Sequence, residues 1–262
     1  MKVIPLNSKL EEAFHDHVFG DLFEYYFFIR DWKLEKDKTR VLLALKNEKI
    51  NGMILVYKQR IVQLRGSLEA AEALLDRLGL EKVSITAPKE HRRIILRRYK
   101  PLRMREIIRM TLRKGEERLF IRHSIERLGP PDAEEIVDLL RKTLPDWWGG
   151  IAAGEITASM RRGALWIGIK QNGKIVSVGS AFLTEFGSNI GIVATHEANR
   201  NRGYATSIVS TLVKEILQRS KYALIHVESN NAPALHVYSK IGFKPYKTYL
   251  VIEGELKSNN SK

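Results

Sequence analysis

The sequence predicts an α/β (α+β) protein built as two tandem mixed-sheet domains, residues 1–118 and 119–262. Strand-like and helix-like stretches alternate along the chain, the pattern of layered mixed sheets. The two halves also echo one another. RVLLALKNEKINGMILVY at 40–57 parallels ALWIGIKQNGKIVSVGS at 164–180, and YKPLRMREIIRM at 99–110 parallels FKPYKTYLVIEG at 243–254. A third observation is one strongly amphipathic helix after residue 203, where Ala205, Ile208, Val209, Leu212, Val213, Ile216 and Leu217 share one face.

The composition supports a packed core. Of 262 residues, 44% are hydrophobic and 28% charged, which suits a globular chain. No apolar run reaches the length of a bilayer span, and MKVIPLNSKLEE lacks the apolar segment of a secretory signal. Without cysteine, disulfides and thiolate metal sites are excluded, and a cytoplasmic address is expected. The net charge of +14 fits a nucleic-acid or membrane-surface binder, or a pocket for a polyanionic small molecule. Its densest run, KEHRRIILRRYKPLRMR at 89–105, reads first as a solvated face.

Residues 8–28 are expected to form a helix, followed by strands RVLLALK and GMILVY around a turn at Asn47 to Gly52. Strand IVQLRG leads into helix SLEAAEALLDRLG, capped by Ser67 and stopped at Gly79. Strand KVSITA, a helix after Pro88 and strand MREIIRMTLR complete the first half. The second opens with strand LFIRHSIE and a helix after Pro131, for which Asp132 and Glu135 have capping-box spacing. LPDWWGG reads as a loop whose Trp147 and Trp148 have two uses, walling a pocket or, the reading preferred, packing inside. A helix at 154–162, hairpin ALWIGIK-QNGK-IVSVGSAFLT and strand SNIGIVAT follow. After the amphipathic helix come strand YALIHVE, a helix at 232–240 and strand KTYLVIEG.

The stretch VATHEANRNRGYAT at 193–206 carries the chemistry. It joins a strand end to a helix start through a basic turn. Backbone amides at a helix N-terminus lack intrahelical partners and sit at the positive end of the dipole, which suits a phosphate. Gly203 lets backbone approach a ligand closely, and Arg200 and Arg202 add charge for a pyrophosphate.

This turn, with the later NNAPALHVYSKIGF, resembles the GNAT superfamily of acyl-CoA dependent N-acetyltransferases. Arg200, Gly203 and Ala205 match its acyl-CoA loop; Asn231, Ala234, Tyr238, Lys240, Gly242 and Phe243 match its later signature. The resemblance covers about residues 119–253 and, more faintly, the first half. It implies acetyl-CoA as cosubstrate, direct transfer to an amine acceptor, and no metal. Backbone at Val193, Ala194 and Thr195 would hold the pantetheine and thioester, and Arg200, Asn201, Arg202, Gly203, Tyr204, Ala205 and Thr206 the pyrophosphate. Asn231 would bond the pantetheine arm or cap its helix, Tyr238 would protonate the thiolate, and Gly242 would stop the helix. Candidates for the general base are Glu185, Glu228, His196 and His226, with Glu228 preferred for its place just before Asn231.

Pairing the halves by Tyr99 and Phe243 sets Ile94 opposite Tyr238 and Ala87 opposite Asn231, and reduces the phosphate turn to Arg65, Gly66 and Ser67. The first half is therefore expected to be a degenerate copy that binds no acyl-CoA. The tandem layout is similar to the glycine N-acyltransferase-like branch, which implies a small amine or amino acid as acceptor, with protein amines second. No nucleic-acid or membrane partner is expected. The alternative is a non-catalytic nucleic-acid-binding or regulatory module using residues 89–105.

Overall fold

The computed structural model describes residues 1–257. Along the chain run β1 (Lys2–Pro5), α1 (Glu11–Gly20), α2 (Leu22–Leu34), β2 (Thr39–Lys46), β3 (Lys49–Tyr57), β4 (Ile61–Gly66), α3 (Leu68–Asp76), β5 (Lys82–Pro88), α4 (Arg92–Arg98) and β6 (Tyr99–Arg113). There follow β7 (Glu126–Arg127), α5 (Ala133–Thr143), α6 (Pro145–Trp148), α7 (Ala153–Arg161), β8 (Ala164–Gln171), β9 (Lys174–Phe182), β10 (Ser188–Thr195), α8 (Tyr204–Arg219), β11 (Tyr222–Glu228), α9 (Ala232–Ile241) and β12 (Lys244–Leu256).

The chain forms two compact units. Among the described residues, unit 1 is Met1–Ile108 together with 247–257, and unit 2 is Arg109–Tyr246. The boundaries fall inside β6 and β12, whereas the division expected from the sequence lies at 118/119. Within unit 1 the strand order is β1, β2, β3, β4, β5, β12, β6; within unit 2 it is the end of β6, then β11, β10, β9, β8, β7. The β2–β3 and β8–β9 hairpin turns use left-handed residues, Asn47 and Glu48 in one and Asn172 and Gly173 in the other. Such turns match the twist of the flanking strands.

Several elements differ from expectation for local reasons. The single helix expected at 8–28 is broken at Asp21, whose backbone leaves the helical region and whose carboxylate accepts from the Glu24 amide at 3.1 Å to start α2. Of LFIRHSIE only Glu126 enters a strand, which continues to Arg127 and pairs with β8. Residues before them bond to α8 instead: Ser210 Oγ accepts from the Phe120 amide at 3.0 Å and Ser207 Oγ from the Arg122 amide at 3.1 Å. The capping box belongs to Gly129 and Asp132, the Gly129 amide donating to Asp132 Oδ2 at 2.8 Å. Glu135 accepts from the Ile175 amide at 2.7 Å. The first turn of LPDWWGG is the short helix α6.

In unit 1 the sheet packs on α3 and α4 through Leu64, Leu74, Ile85, Ile95 and Ile252. In unit 2 one sheet face carries α5 and α7, with Ile136, Leu140, Ile156, Trp166 and Val178 in the core. The other carries α8, whose expected apolar face is buried from Ile208 to Leu217. That helix lies close over Gly179 of β9. A Cβ there would fall 2.3 Å from Ile208 Cγ2 and 2.9 Å from Leu212 Cδ1. We expect Gly179→Ala to lower stability by about 1–3 kcal/mol in urea unfolding, the usual effect of overpacking; an unchanged midpoint would refute this seating of α8.

His91 is fully buried and its Nε2 donates to the Gly66 carbonyl at 2.9 Å. Burial, with nearby Arg65 and Lys247, holds its pKa below 6.5 despite the opposing Gly66 bond and Glu90. The unfolded chain thus binds more protons than the folded one as pH falls below 6.5, and stability is lost on that side. Buried Asp31, pushed up to about 6, works in the opposite sense. The difference between wild type and His91→Gln isolates the histidine. Between pH 7.5 and 5.0 the variant should lose less unfolding free energy than wild type, and parallel losses would count against it.

Candidate active site

The site in unit 2 begins where two parallel strands part. β10 and β11 pair through Ser188↔Ala223, Asn189↔Leu224 and Ile190↔Ile225, and no later pair forms among the described residues. Yet β10 continues to Thr195 and β11 to Glu228. On its other edge β10 stays bound to β9, through Val193↔Gly179, Ala194↔Val178 and Thr195↔Ser177, after a register shift between Ile190 and Ile192. A bulge bends the strand that carries it. The backbone groups of residues 191–195 that face away from β9 therefore line an opening. Side chains contribute less: Ala194 is buried, and the Thr195 hydroxyl bonds to Ser177 Oγ at 2.9 Å.

Beyond Thr195 a single 3-10 turn leads to Arg200 and the basic turn. Asn201 and Gly203 are left-handed, with φ of 63° and 80°. At Gly203 this favours glycine, since an L-residue pays about 1–2 kcal/mol there. Ser207 makes the first bond back, to the Gly203 carbonyl at 3.0 Å. The preceding amides open the 16-residue helix α8, whose first turn holds no acidic side chain to compete for them. Arg200 and Arg202 are exposed, and neither has an ion-pair partner among the described residues. Tyr204 is buried: its ring meets the His123 ring edge-on at 4.5 Å, and its hydroxyl accepts from Gln171. Of the seven turn residues it is the one whose side chain is committed to packing.

After β11 the chain enters α9 directly. Asn231 is its N-cap, its Oδ1 accepting from the Ala234 amide at 3.1 Å. The amide nitrogen of that side chain remains available to a ligand. Tyr238 is buried in the second turn, its ring 6.2 Å from Phe243. Burial pushes the phenol pKa far above its usual value, so the hydroxyl stays protonated. α9 ends at Gly242, whose amide bonds back to the Ser239 carbonyl at 3.1 Å, the stop expected from the sequence.

The base candidates separate clearly. Glu185 lies exposed in the turn before β10, and His196 is held through its backbone amide to the Val176 carbonyl at 2.8 Å. His226 has both ring nitrogens engaged. Arg109 Nε donates to its Nε2 at 2.8 Å, and its Nδ1 donates to Asn189 Oδ1 at 2.9 Å. Glu228, half-buried at the end of β11, accepts from the Trp147 indole N–H at 2.7 Å. Trp147 is 42% exposed, contrary to the packing expected for it, because α6 turns it toward the strand end; Trp148 packs against the core of unit 2. The sequence did not single out this contact, which joins residues 81 positions apart. Nor did it single out His123, whose Nε2 donates to the Arg202 carbonyl at 2.9 Å.

Unit 1 has the same parting of strands with different contents. β4 and β5 pair through Ile61↔Ser84 to Gln63↔Thr86. Past that point the buried Arg65 guanidinium bridges them, Nη1 donating to the carbonyls of Leu64 at 2.8 Å and Thr86 at 2.9 Å. It is ion-paired with Glu24 and lies 4.4 Å from the Tyr249 ring. The link to α3 is Gly66 and Ser67, and the Ser67 hydroxyl is taken by the Ala70 amide at 3.2 Å. Elsewhere on unit 1 a cleft of about 230 Å³ is lined by Glu72, Ile94, Arg97, Arg98, Leu256 and Lys257. It contains none of the motif residues, and its cations are bonded to Glu72, Asp76 and the Leu96 carbonyl. Among the described residues no group of His, Asp or Glu is placed to hold a metal, and no helix is long and apolar enough to cross a membrane.

Residues 166–252 match a family model described as FR47-like protein. No curated protein matches the chain. Among solved structures, a Drosophila protein is 14% identical with a TM-score of 0.75, over 98% of this chain and 99% of that one. A GCN5-related N-acetyltransferase from Sphaerobacter thermophilus is 15% identical with a TM-score of 0.66, over 97% and 95%. A tandem GNAT protein from the clavulanic acid biosynthesis pathway is 12% identical with a TM-score of 0.55, over 97% and 98%. At such identities the structural likeness is one of fold. The fold is that of the GNAT acetyltransferases, extending over both halves of the chain.

Proposed function

We propose that this protein is an N-acetyltransferase that moves an acetyl group from acetyl-CoA to a small primary amine or amino acid, using one site in unit 2. The observation that carries the reading is the coincidence of the parting of β10 and β11 with an anion-ready turn at the start of α8, the turn lying at the first motif and the second motif forming α9, directly after β11. The opening suits the fit of acyl-CoA on physical grounds. Strand backbone can bond the amides of a pantetheine arm, and helix amides with Arg200 and Arg202 can hold a pyrophosphate.

When bound, the cosubstrate supplies an acyl thioester whose carbon–sulfur bond is exchanged for a carbon–nitrogen bond to the amine, CoA leaving as its thiolate. Backbone N–H groups at 193–195 that face the opening hold and polarise the carbonyl oxygen. Tyr238, kept neutral by burial, gives its phenolic proton to the departing sulfur. Glu228 takes the proton released by the amine, and the exposed Trp147 indole bonded to it walls the acceptor side. Asn231 offers its side-chain nitrogen to the pantetheine while its oxygen caps α9.

The reading of residues 89–105 as a nucleic-acid surface draws less support. Lys89 pairs with Glu106 at 2.6 Å, Arg97 with Glu72 at 3.1 Å, Arg98 with Asp76 and Arg105 with Glu253 at 3.1 Å. Tyr99, the one aromatic residue in that run, is buried and cannot stack on a base.

Tyr238→Phe should lower kcat by about 10²-fold or more while CoA affinity changes less than about threefold, as loss of a proton donor would. Equal turnover in both chains would refute the acid role. Because Arg65 occupies the opening of unit 1, calorimetry should give one CoA per chain, and Gly203→Glu should abolish it by placing bulk and like charge at the phosphates. Two molecules per chain would overturn the assignment of a single site.

A further inference from the structure

Residues 119–124 lie across the N-terminal end of α8 as a strap. The Phe120 and Arg122 amides donate to Ser210 and Ser207 Oγ, and the Ser207 hydroxyl donates to the Phe120 carbonyl at 3.3 Å. Three hydrogen bonds fix its path along two turns of the helix. They bring His123 to the turn, where its Nε2 lies 2.9 Å from the Arg202 oxygen and its ring meets the edge of Tyr204. A carbonyl can only accept, so Nε2 carries the hydrogen.

The contact has a geometric effect. The peptide joining Arg202 to Gly203 is planar and trans, so its C=O and N–H point in opposite directions. Holding the Arg202 oxygen on His123 turns the Gly203 N–H away from the strap. It also keeps a carbonyl dipole from facing a bound anion. A turn with left-handed residues at 201 and 203 has an alternative in which this peptide flips, and glycine on one side makes that flip cheap. We propose that His123 is the positioning residue of the phosphate seat, fixing the Arg202–Gly203 peptide so that the Gly203 amide is presented to the diphosphate of the cosubstrate. This rests on the acyl-CoA reading, and His123 itself touches no reacting atom.

The test compares two ligands and two variants. His123→Phe keeps a ring against Tyr204 and removes the donor; His123→Gln restores a side-chain N–H donor. Affinity for CoA is measured by calorimetry and for pantetheine, which has no diphosphate, by NMR titration. His123→Phe should weaken CoA by about tenfold, the scale of one hydrogen bond to a charged group, and leave pantetheine within about twofold. The Gln variant should recover most of the loss. With acetyl-CoA as donor, KM should rise while kcat holds. A general disturbance of the fold would weaken both ligands together, and that result overturns the proposal, as does a Phe variant that binds CoA like wild type. Failure of wild type to bind CoA at all would instead overturn the acyl-CoA reading on which this one depends.

Discussion

The candidate site depends on the point at which β10 and β11 stop pairing. Parallel strands that part in mid-sheet leave backbone donors and acceptors unmatched, and burying such groups unpaired is costly. β10 can afford this on one edge because β9 holds it firmly on the other, up to Thr195↔Ser177. The register shift after Ile190 bends the strand, and the helix after the opening is pressed down over Gly179. Strand, turn and helix are thus fixed by contacts on the far side of the opening, which leaves the near side open, as the proposed reading requires.

Unit 1 shows the same parting of strands satisfied from within. Its opening is filled by Arg65, whose guanidinium satisfies carbonyls from both strands and whose charge is met by Glu24, itself also paired with Lys247 at 2.9 Å. A buried arginine of this kind is tolerable only with such company, because an isolated buried charge is strongly unfavourable. The guanidinium supplies the donors that a ligand would otherwise bring. On the proposed reading, the two units are one architecture with an internal occupant in one and an external occupant in the other.

Much of this was legible in the sequence because it rests on local pattern. The alternation of strands and helices, the apolar face of α8, the Asn231 cap and the Gly242 stop each lie within a window of a dozen residues. What was not legible rests on long-range contacts. Nothing near His123 marks it, since its partner is 79 residues away, and LFIRHSIE has a strand's composition although Ser207 and Ser210 take up its amides. Trp147 read as core because tryptophan usually is. Its exposure follows from Pro145 starting a one-turn helix that carries the indole out to Glu228. The occupation of the first opening was half visible: the shrunken turn at Arg65, Gly66 and Ser67 could be read, but not that the Arg65 guanidinium folds back between the two strands.

The placement of charge carries the argument a step further. A chain of net charge +14 has many cations to dispose of, and in the basic run at 89–105 several are matched by carboxylates of the same unit. At the start of α8 the arrangement is reversed. Arg200 and Arg202 stand exposed beside the positive end of a long helix whose first turn lacks an acid, where repulsion raises the cost of leaving them unmatched. Against α3, whose first turn contains Glu69, the contrast is direct, since that helix neutralises its own N-terminus and needs no anion. The unneutralised end is the one that follows the parting of β10 and β11, so electrostatics and backbone geometry coincide there, as the proposed reading requires of an anionic head and an amide-bearing arm.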